Sequence, residues 1–179
     1  RRKLNVFKFR RWCMSNIKIT FLFLIIIFVS ESVLAKGISL SQLINKNGQY
    51  FIGDQLIPYS GLSLSYFKNG TIKYVGNIEN GKKHGVWLRY LNGSIWKENY
   101  FEGKLEGPWE WIRTNGKIWS KGTYKNNKKE GKEKHYYSNG QVYYEGQYRN
   151  GKQVGRWKYY NDIGKIVSEI IYDIGQEPQ

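Results

Sequence analysis

The residue types that carry most enzyme chemistry are sparse in this sequence. It has two histidines, His84 and His135, far apart in the chain, and its single cysteine is Cys13. Cys13 precedes an apolar segment, so residues 36–179 hold no thiol that could form a disulfide, attack a substrate or complete a zinc site. We expect His84 to lie in a turn and His135 to be a solvated or cross-strand residue of a strand.

The other polar residues form no catalytic pattern. The acids lie mainly in turns, as Glu-Gly or beside lysine, and no pair is spaced as a general acid and base. No glycine cluster stands between a strand and a helix as in a phosphate-binding loop, and no serine has a nucleophile-elbow context. The sequence therefore predicts no catalytic residue, no cofactor and no metal ion.

Aromatic side chains are abundant instead. Seven Trp, 15 Tyr and eight Phe make up 17% of the chain. Trp87, Trp109 and Trp157 recur at one offset within the repeated blocks described below, and Trp111 and Tyr159 stand two residues further on. Two interpretations are open: ladders of rings that shield a thin sheet, or a face of rings that binds a ligand.

The chain is also strongly basic. Its formal net charge is +15, and residues 36–179 contribute +9 of it, from 22 basic and 13 acidic groups. A basic surface attracts anionic lipid headgroups, acidic glycans and acidic proteins, and salt weakens that attraction. Nucleic acid is the usual partner of a basic cytoplasmic chain, but the export signal described next disfavours it.

An export signal occupies the first part of the chain. Residues 19–29, ITFLFLIIIFV, are almost all apolar, follow a basic segment and precede SESVLA, whose Val33 and Ala35 suit cleavage. We expect residues 1–35 to be a basic n-region and helical signal peptide, which makes the protein periplasmic or extracellular; an uncleaved membrane anchor is the alternative. Residues 1–13 precede the only methionine, Met14, and are either untranslated or a long n-region.

The rest of the chain is repetitive. Blocks of 22 to 24 residues begin at glycines 61, 85, 107, 131 and 155, and Asn-Gly pairs between β-rich runs are a strong hairpin signal. Asn127 replaces a glycine in the third block, and asparagine tolerates positive φ. We predict an all-β antiparallel meander of about ten strands. The repeated turn residues are Asn69, Gly70, Asn80, Gly81, Asn92, Gly93, Asn115, Gly116, Asn139, Gly140, Asn150 and Gly151.

These blocks resemble MORN repeats, in the variant form of bacterial proteins labelled YwqK-type antitoxins. The matching pattern is Tyr-x-Gly-x-x-x-Asn-Gly-Lys-x-x-Gly, from Tyr74 to Gly85 and again from Tyr144 to Gly155. The resemblance covers residues 58–175 and implies an elongated array of β-hairpins that associates with proteins or membrane lipids. The second block is two residues short and has no counterpart of Gly76, which leaves its register open.

Before the array we expect a tether and a degenerate opening hairpin over residues 36–57. Residues 36–46 are the predicted tether, the hairpin strands are Gln49–Ile52 and Gln55–Tyr59, and Pro58 suits a sheet edge. Residues 176–179 are expected to be a frayed tail.

Alternation along the strands predicts a candidate binding face. If the tyrosines before each turn and the Ile or Val after it face inward, the tryptophan series faces outward. A bulge would reverse this assignment. The inward tyrosines are Tyr66, Tyr90, Tyr136 and Tyr160, and the candidate binding face is Trp87, Trp109, Trp111, Trp157 and Tyr159.

The leading hypothesis is an exported, non-enzymatic scaffold that binds an unknown protein or envelope component along its sheet. One alternative is recognition of anionic lipid or cell-wall glycan by a basic, aromatic face. Another is an antitoxin or immunity role, which rests on the family label alone. Exposed end strands would also allow edge-to-edge self-association.

Overall fold

The computed structural model of the protein describes residues 37–54 and 56–173. The predicted signal helix, residue 55 and the predicted C-terminal tail lie outside the described residues. Within the described part of the chain, no helix is both long and apolar enough to span a membrane.

The described residues are almost entirely β-structure. The first part contains β1 (Ile38–Ser39), a 3₁₀ turn (Leu40–Gln42), β2 (Ile44–Lys46), β3 (Gln49–Ile52) and β4 (Ile57–Pro58). The repeats contain β5 (Gly61–Tyr66), β6 (Ile72–Glu79), β7 (Lys82–Leu91), β8 (Ser94–Phe101), β9 (Lys104–Leu105), β10 (Gly107–Ile112), β11 (Ile118–Lys125), β12 (Lys128–Lys129), β13 (Gly131–Tyr136), β14 (Val142–Arg149), β15 (Lys152–Tyr160) and β16 (Ile166–Tyr172).

The predicted meander is confirmed. The strands of the larger sheet follow the order β1-β5-β6-β7-β8-β10-β11-β13-β14-β15-β16, with the short strands β9 and β12 paired to β8 and β11. Ten of these strands have six or more residues, and each pairs antiparallel with its sequence neighbours. β1 is the exception, because it pairs with β5 in parallel.

The Asn-Gly turns are of two kinds. In the first kind the asparagine side chain accepts a hydrogen bond from the backbone N–H two residues on, and only the glycine has a positive φ. In the second kind both residues have a positive φ, as a two-residue hairpin turn requires. The first kind is Asn69–Gly70, Asn115–Gly116 and Asn139–Gly140, and the second is Asn47–Gly48, Asn80–Gly81, Asn92–Gly93 and Asn150–Gly151. Asn127 has a φ of +65°, so its expected glycine-like conformation is confirmed.

The second block keeps its place in the sheet although it is two residues short. The hairpins β5–β6, β10–β11, β13–β14 and β15–β16 each carry a bulge beside the turn, and in the first hairpin the extra residue is Lys73. Hairpin β7–β8 has no bulge, and Leu91 pairs with Ser94 across a two-residue turn. The missing residues are thus one turn residue and one bulge residue, and their joint loss preserves the side-chain faces.

Backbone hydrogen bonds also link turns of successive repeats along one edge of the array. Gly103 N donates to Lys83 O at 2.8 Å, and Gly151 N donates to Lys129 O at 2.9 Å. Glu130 strengthens this edge, because its carboxylate accepts a hydrogen bond from the backbone N–H of Asn150 at 2.8 Å. Each repeat therefore positions the turn of the next.

Residues 37–59, which we call the cap, fold onto the first repeat. The opening hairpin is found as β3 and β4, and Pro58 lies in an edge strand of the three-stranded sheet β2-β3-β4. The prediction of a tether is wrong for residues 37–46, which contain β1, the 3₁₀ turn and β2. Leu43 supplies the physical reason, because it is buried with Ile78 and Trp87 of the array.

Besides the pairing of β1 with β5, the cap is hydrogen-bonded to the first repeat at the Asn80–Gly81 turn. Tyr50 N donates to Gly81 O at 2.6 Å, and Gly81 N donates to Tyr59 O at 2.7 Å. A Cβ on Gly81 would lie 2.8 Å from the carbonyl oxygen of Tyr50, so this close approach requires glycine.

Candidate functional site

The tryptophan series and the tyrosine series lie on opposite faces of the sheet, as expected. The buried face, however, is the one that carries the tryptophans and not the one that carries the tyrosines. Trp87 and Trp109 are 2% exposed and Trp157 is 1% exposed, so the expectation that they face solvent is wrong. Trp111 and Tyr159 are half-buried, whereas Tyr66, expected inside, is 50% exposed. We call the face that carries Trp87, Trp109, Trp111, Trp157 and Tyr159 the aromatic face.

Glycines on neighbouring strands explain why these tryptophans are buried. A Cβ on Gly76 would lie 2.2 Å from Cδ2 of Trp87, and a Cβ on Gly146 would lie 2.1 Å from Cδ2 of Trp157. The indole rings therefore lie directly over bare backbone, and a thin sheet can bury them without a second layer. The glycine of the Tyr-x-Gly pattern was the signal in the sequence that could have identified this face.

Trp109 packs toward the other neighbouring strand. Glu98 occupies the place of the absent glycine in the second block, and Trp109 approaches Gly122, where a Cβ would lie 2.9 Å from its Nε1. The ring of Trp96 stacks on Trp109 with the centroids 5.1 Å apart and an interplanar angle of 6°.

These two rings belong to a cluster of four indoles. Trp111 contacts Trp96 with centroids 5.0 Å apart and Trp119 with centroids 4.3 Å apart. Trp119 is 37% exposed, and the guanidinium of Arg113 lies 5.0 Å from its ring centre. This cluster is the part of the aromatic face that keeps accessible tryptophan surface.

Glu133 stands at the tryptophan offset of the fourth repeat, and the sequence analysis did not single it out. Its side chain is 4% exposed and lies 2.9 Å from His135 Nε2, with Lys129 Nζ on its other oxygen. Burial raises the pKa of Glu133, but the hydrogen bonds from His135 and Lys129 outweigh this and hold it below the usual 4.5. Lys129 Nζ also lies 5.2 Å from the Trp109 ring and 4.8 Å from the Tyr148 ring.

The histidines have structural partners. His135 stacks on Tyr144 of the paired strand, with ring centroids 4.1 Å apart, which confirms a cross-strand histidine. His84 lies in β7 rather than in a turn, and its Nδ1 is 3.3 Å from a carboxylate oxygen of Glu79. Among the described residues, no three His, Cys, Asp or Glu side chains are placed to hold a metal ion.

The opposite face of the sheet carries rows of lysines and glutamates, and we call it the basic face. One row crosses it from strand to strand, and its members pair in the order Lys97, Glu110, Lys121, Lys134, Glu145, Lys158 and Glu169. A second row contains Lys132 and Arg156. The charged rows thus lie on the face opposite the tryptophans, although single cations such as Lys83 and Lys129 also lie beside the rings of the aromatic face.

Ion pairs neutralise part of the first row. Lys134 Nζ lies 2.7 Å from Glu145, and its hydrogen bond lowers the pKa of that carboxyl group. Lys97 pairs with Glu110 at 3.2 Å. Lys121 stands directly opposite Lys134, and no ion pair of Lys121 is found within the described residues.

Two shallow grooves lie on the basic face. One, of about 180 Å³, is lined by Lys132, Glu145, Gly146, Gln147, Arg156 and Lys158. The other, of about 230 Å³, lies over Gly122 and contains Lys121, Lys132 and Lys134. Both grooves are positively charged, because their lysines and arginine outnumber the acids that line them.

A larger cleft of about 400 Å³ lies between the cap and the first two repeats. Its lining residues are Leu40 and Tyr50 of the cap, with Tyr74, Lys83, Trp87, Leu88, Arg89, Glu98 and Tyr100 of the array. Lys83 Nζ is 4.3 Å from the Trp87 ring centre and 4.9 Å from the Tyr100 ring centre. Burial lowers the pKa of Lys83 and raises that of Tyr100.

The family model described as MORN repeat variant matches residues 105–126 and 129–150. These segments contain the hairpin strands β10 and β11, and β13 and β14. No curated protein matches the chain.

Two solved structures resemble parts of the fold. One is described as the crystal structure of TarM, with 17% identity, a TM-score of 0.35, and coverage of 55% of this chain and 18% of that chain. The other is a mutant of S. aureus TarM in complex with fondaparinux, alpha-GlcNAc-glycerol and UDP, with 12% identity, a TM-score of 0.27, and coverage of 74% and 20%. The chain thus spans about a fifth of the length of these structures.

The family match and the meander of hairpins agree with each other. Both matched segments have the strand, turn and strand order that the other blocks repeat, with the same Asn-Gly turns. The chain therefore contains MORN repeats of the variant type, at residues 105–126 and 129–150.

Proposed function

We propose that the protein is an exported, non-enzymatic MORN-repeat scaffold whose basic face holds an acidic protein or other component of the cell envelope. MORN repeats suggest a scaffold for protein or membrane binding. The proposal goes further by assigning the partner's charge and the surface that binds it.

The observation that carries the proposal is the direct opposition of Lys121 and Lys134 on adjacent strands. Glu145 neutralises Lys134, but no ion pair of Lys121 is found within the described residues, so this part of the row keeps a positive charge. A row of cations along an extended, open sheet is favourable once an acidic surface lies against it. Lys132 lines both grooves, and Arg156, which also pairs with Glu169 at 3.1 Å, lines one of them.

Charge reversal tests this surface. We expect Lys132→Glu/Arg156→Glu to weaken capture of the partner from envelope extract about tenfold or more, because each new acid repels an acidic surface. The matched control is Lys104→Glu/Lys128→Glu. It makes the same charge change in the two-residue strands β9 and β12 and should leave capture intact. Equal loss in both variants, with unchanged β-type circular dichroism, would show that only net charge matters and would contradict the assignment.

A second candidate is direct binding of anionic lipid or wall glycan, which the same positively charged grooves favour. Full-length protein would be sedimented with vesicles that do or do not contain phosphatidylglycerol, at low and high salt. Screening lengths fall from about 10 Å at 0.1 M salt to about 3 Å at 1 M salt, so lipid binding should disappear at high salt. Binding that persists in high salt, or equal binding to vesicles without phosphatidylglycerol, would contradict recognition of the anionic lipid by charge.

Export is proposed from residues 1–35 alone. The apolar run at 19–29, the preceding basic residues and the small residues before Lys36 support it. Cell fractionation followed by mass measurement tests it: an exported product should begin at Lys36, and a full-length cytoplasmic product would contradict the proposal.

A further inference from the structure

The cap cleft has an unbalanced charge. Lys83 and Arg89 line it together with one acid, Glu98, and no ion pair of either cation is found within the described residues. The Nε of Arg89 is buried and has no hydrogen-bond partner there. A buried donor without an acceptor is costly, so an anion or other acceptor that enters the cleft would gain a hydrogen bond from this group.

The walls of the cleft combine rings with hydrogen-bonding groups. Tyr50, Tyr74 and Tyr100 are half-buried, and the Tyr100 hydroxyl donates to Glu98 at 3.3 Å. A volume of about 400 Å³ lies within the range of small-molecule sites. A purely aromatic acid would place no donor against the Glu98 carboxylate, whereas a polyol offers several hydroxyls to it.

We infer that the cap cleft binds a small acidic sugar, whose carboxylate or phosphate group lies against Lys83 and Arg89 while its hydroxyls bond Glu98 and the tyrosines. The sugar ring packs on the aromatic side chains that line the cleft. This site is on the aromatic face, so it does not depend on the partner proposed for the basic face.

Calorimetric titration of the full chain tests the inference. The probes are glucuronate for a carboxylate, glucose 6-phosphate for a phosphate, and glucose, inorganic phosphate and benzoate as controls. At least one acidic sugar should bind, and the three controls should bind at least about tenfold more weakly, because each lacks one of the two recognition elements.

Variants locate the site. Lys83→Met and Arg89→Gln each remove a positive charge, and each should weaken binding of the acidic sugar about tenfold or more. Lys121→Met removes a cation from the basic face and should leave the affinity unchanged, as should Lys132→Glu/Arg156→Glu. The last variant separates this inference from the proposed function, because it should lose the envelope partner and keep the sugar.

Proton uptake gives a readout that needs no variant. An anion bound beside Lys83 should raise the pKa of this lysine, which burial lowers in the free protein, so binding at alkaline pH should take up protons. The uptake appears as a dependence of the binding enthalpy on the ionisation enthalpy of the buffer. Absence of binding by both acidic sugars at millimolar concentration overturns the inference. Equal affinity for benzoate or inorganic phosphate, or equal weakening by Lys121→Met, overturns it too.

Discussion

The fourth and fifth repeats place different residues at one offset. In the fifth repeat Trp157 is 1% exposed, lies over Gly146 and contacts Tyr148 edge-on with the ring centroids 5.2 Å apart. In the fourth repeat Glu133 occupies that offset, is also buried, and is held by Lys129 and His135. One architecture therefore accepts either a ring packed on glycine or a buried ion pair.

The packing of the preceding strands accounts for this difference. The glycine that would lie under a tryptophan at position 133 is Gly122, and Trp109 already packs against it. Trp109 does so because Glu98 takes the place of the glycine on its own side. The missing glycine of the second block thus explains the missing tryptophan of the fourth, because Trp109 occupies the glycine on which that tryptophan would pack.

Truncation of the buried ring should have the largest effect. Trp157→Ala is expected to lower the free energy of unfolding by about 3 to 5 kcal/mol, because it removes a fully buried indole and leaves a cavity. Trp119→Ala, at a residue that is 37% exposed, should cost about 1 kcal/mol or less. Urea unfolding followed by circular dichroism measures both losses. Equal losses would show that packing over Gly146 is not what stabilises the Trp157 ring.

Adding a Cβ to a glycine that lies against a buried tryptophan should lower the free energy of unfolding by less. Gly146→Ala is expected to destabilise by about 1 to 3 kcal/mol, because its Cβ meets the Trp157 ring. Gly122→Ala, whose Cβ would be 2.9 Å from Trp109 rather than 2.1 Å, should cost less than Gly146→Ala. In a double-mutant cycle, Trp157→Ala should remove most of the Gly146→Ala penalty, and additive effects would contradict direct packing.

Removal of the charge on Glu133 should have the smallest effect at neutral pH. Glu133→Gln is expected to cost about 1 to 2 kcal/mol, through lost charge-assisted hydrogen bonds to Lys129 and His135. The pKa of Glu133 in the folded protein is below its usual 4.5, so its contribution is complete above that pH and is lost as pH falls through the folded value. Urea titrations between neutral pH and pH 3 should show the wild type losing more stability than the variant, and parallel curves would contradict the role of the ion pair.

Much of the fold could be predicted from local sequence. Each Asn-Gly pair forms a turn, of one kind or the other, so the turns and the meander of about ten strands follow from short segments. Even the substitution of Asn127 for glycine could be interpreted, since asparagine accepts positive φ. The cap was less predictable, because β1, the 3₁₀ turn and β2 depend on contacts with the array, such as those of Leu43.

The candidate site was predicted only in part. Alternation separated the tryptophan and tyrosine series correctly, but it carries no information on which series is covered. The burial of Trp87 and Trp157 depends on glycines in a neighbouring strand, and that pairing must be known before the packing can be seen. The cap cleft was missed for a related reason, since Lys83 and Tyr50 come together only when the cap docks.

The sequence by itself determined the repeat, its turns and the opposite placement of the two side-chain series, because these depend on residues within one hairpin. The tertiary structure decided which face is packed, where Glu133 finds its partners and where clefts form. Those outcomes depend on contacts between strands and with the cap, and the free energy of such contacts is set by what lies opposite each residue.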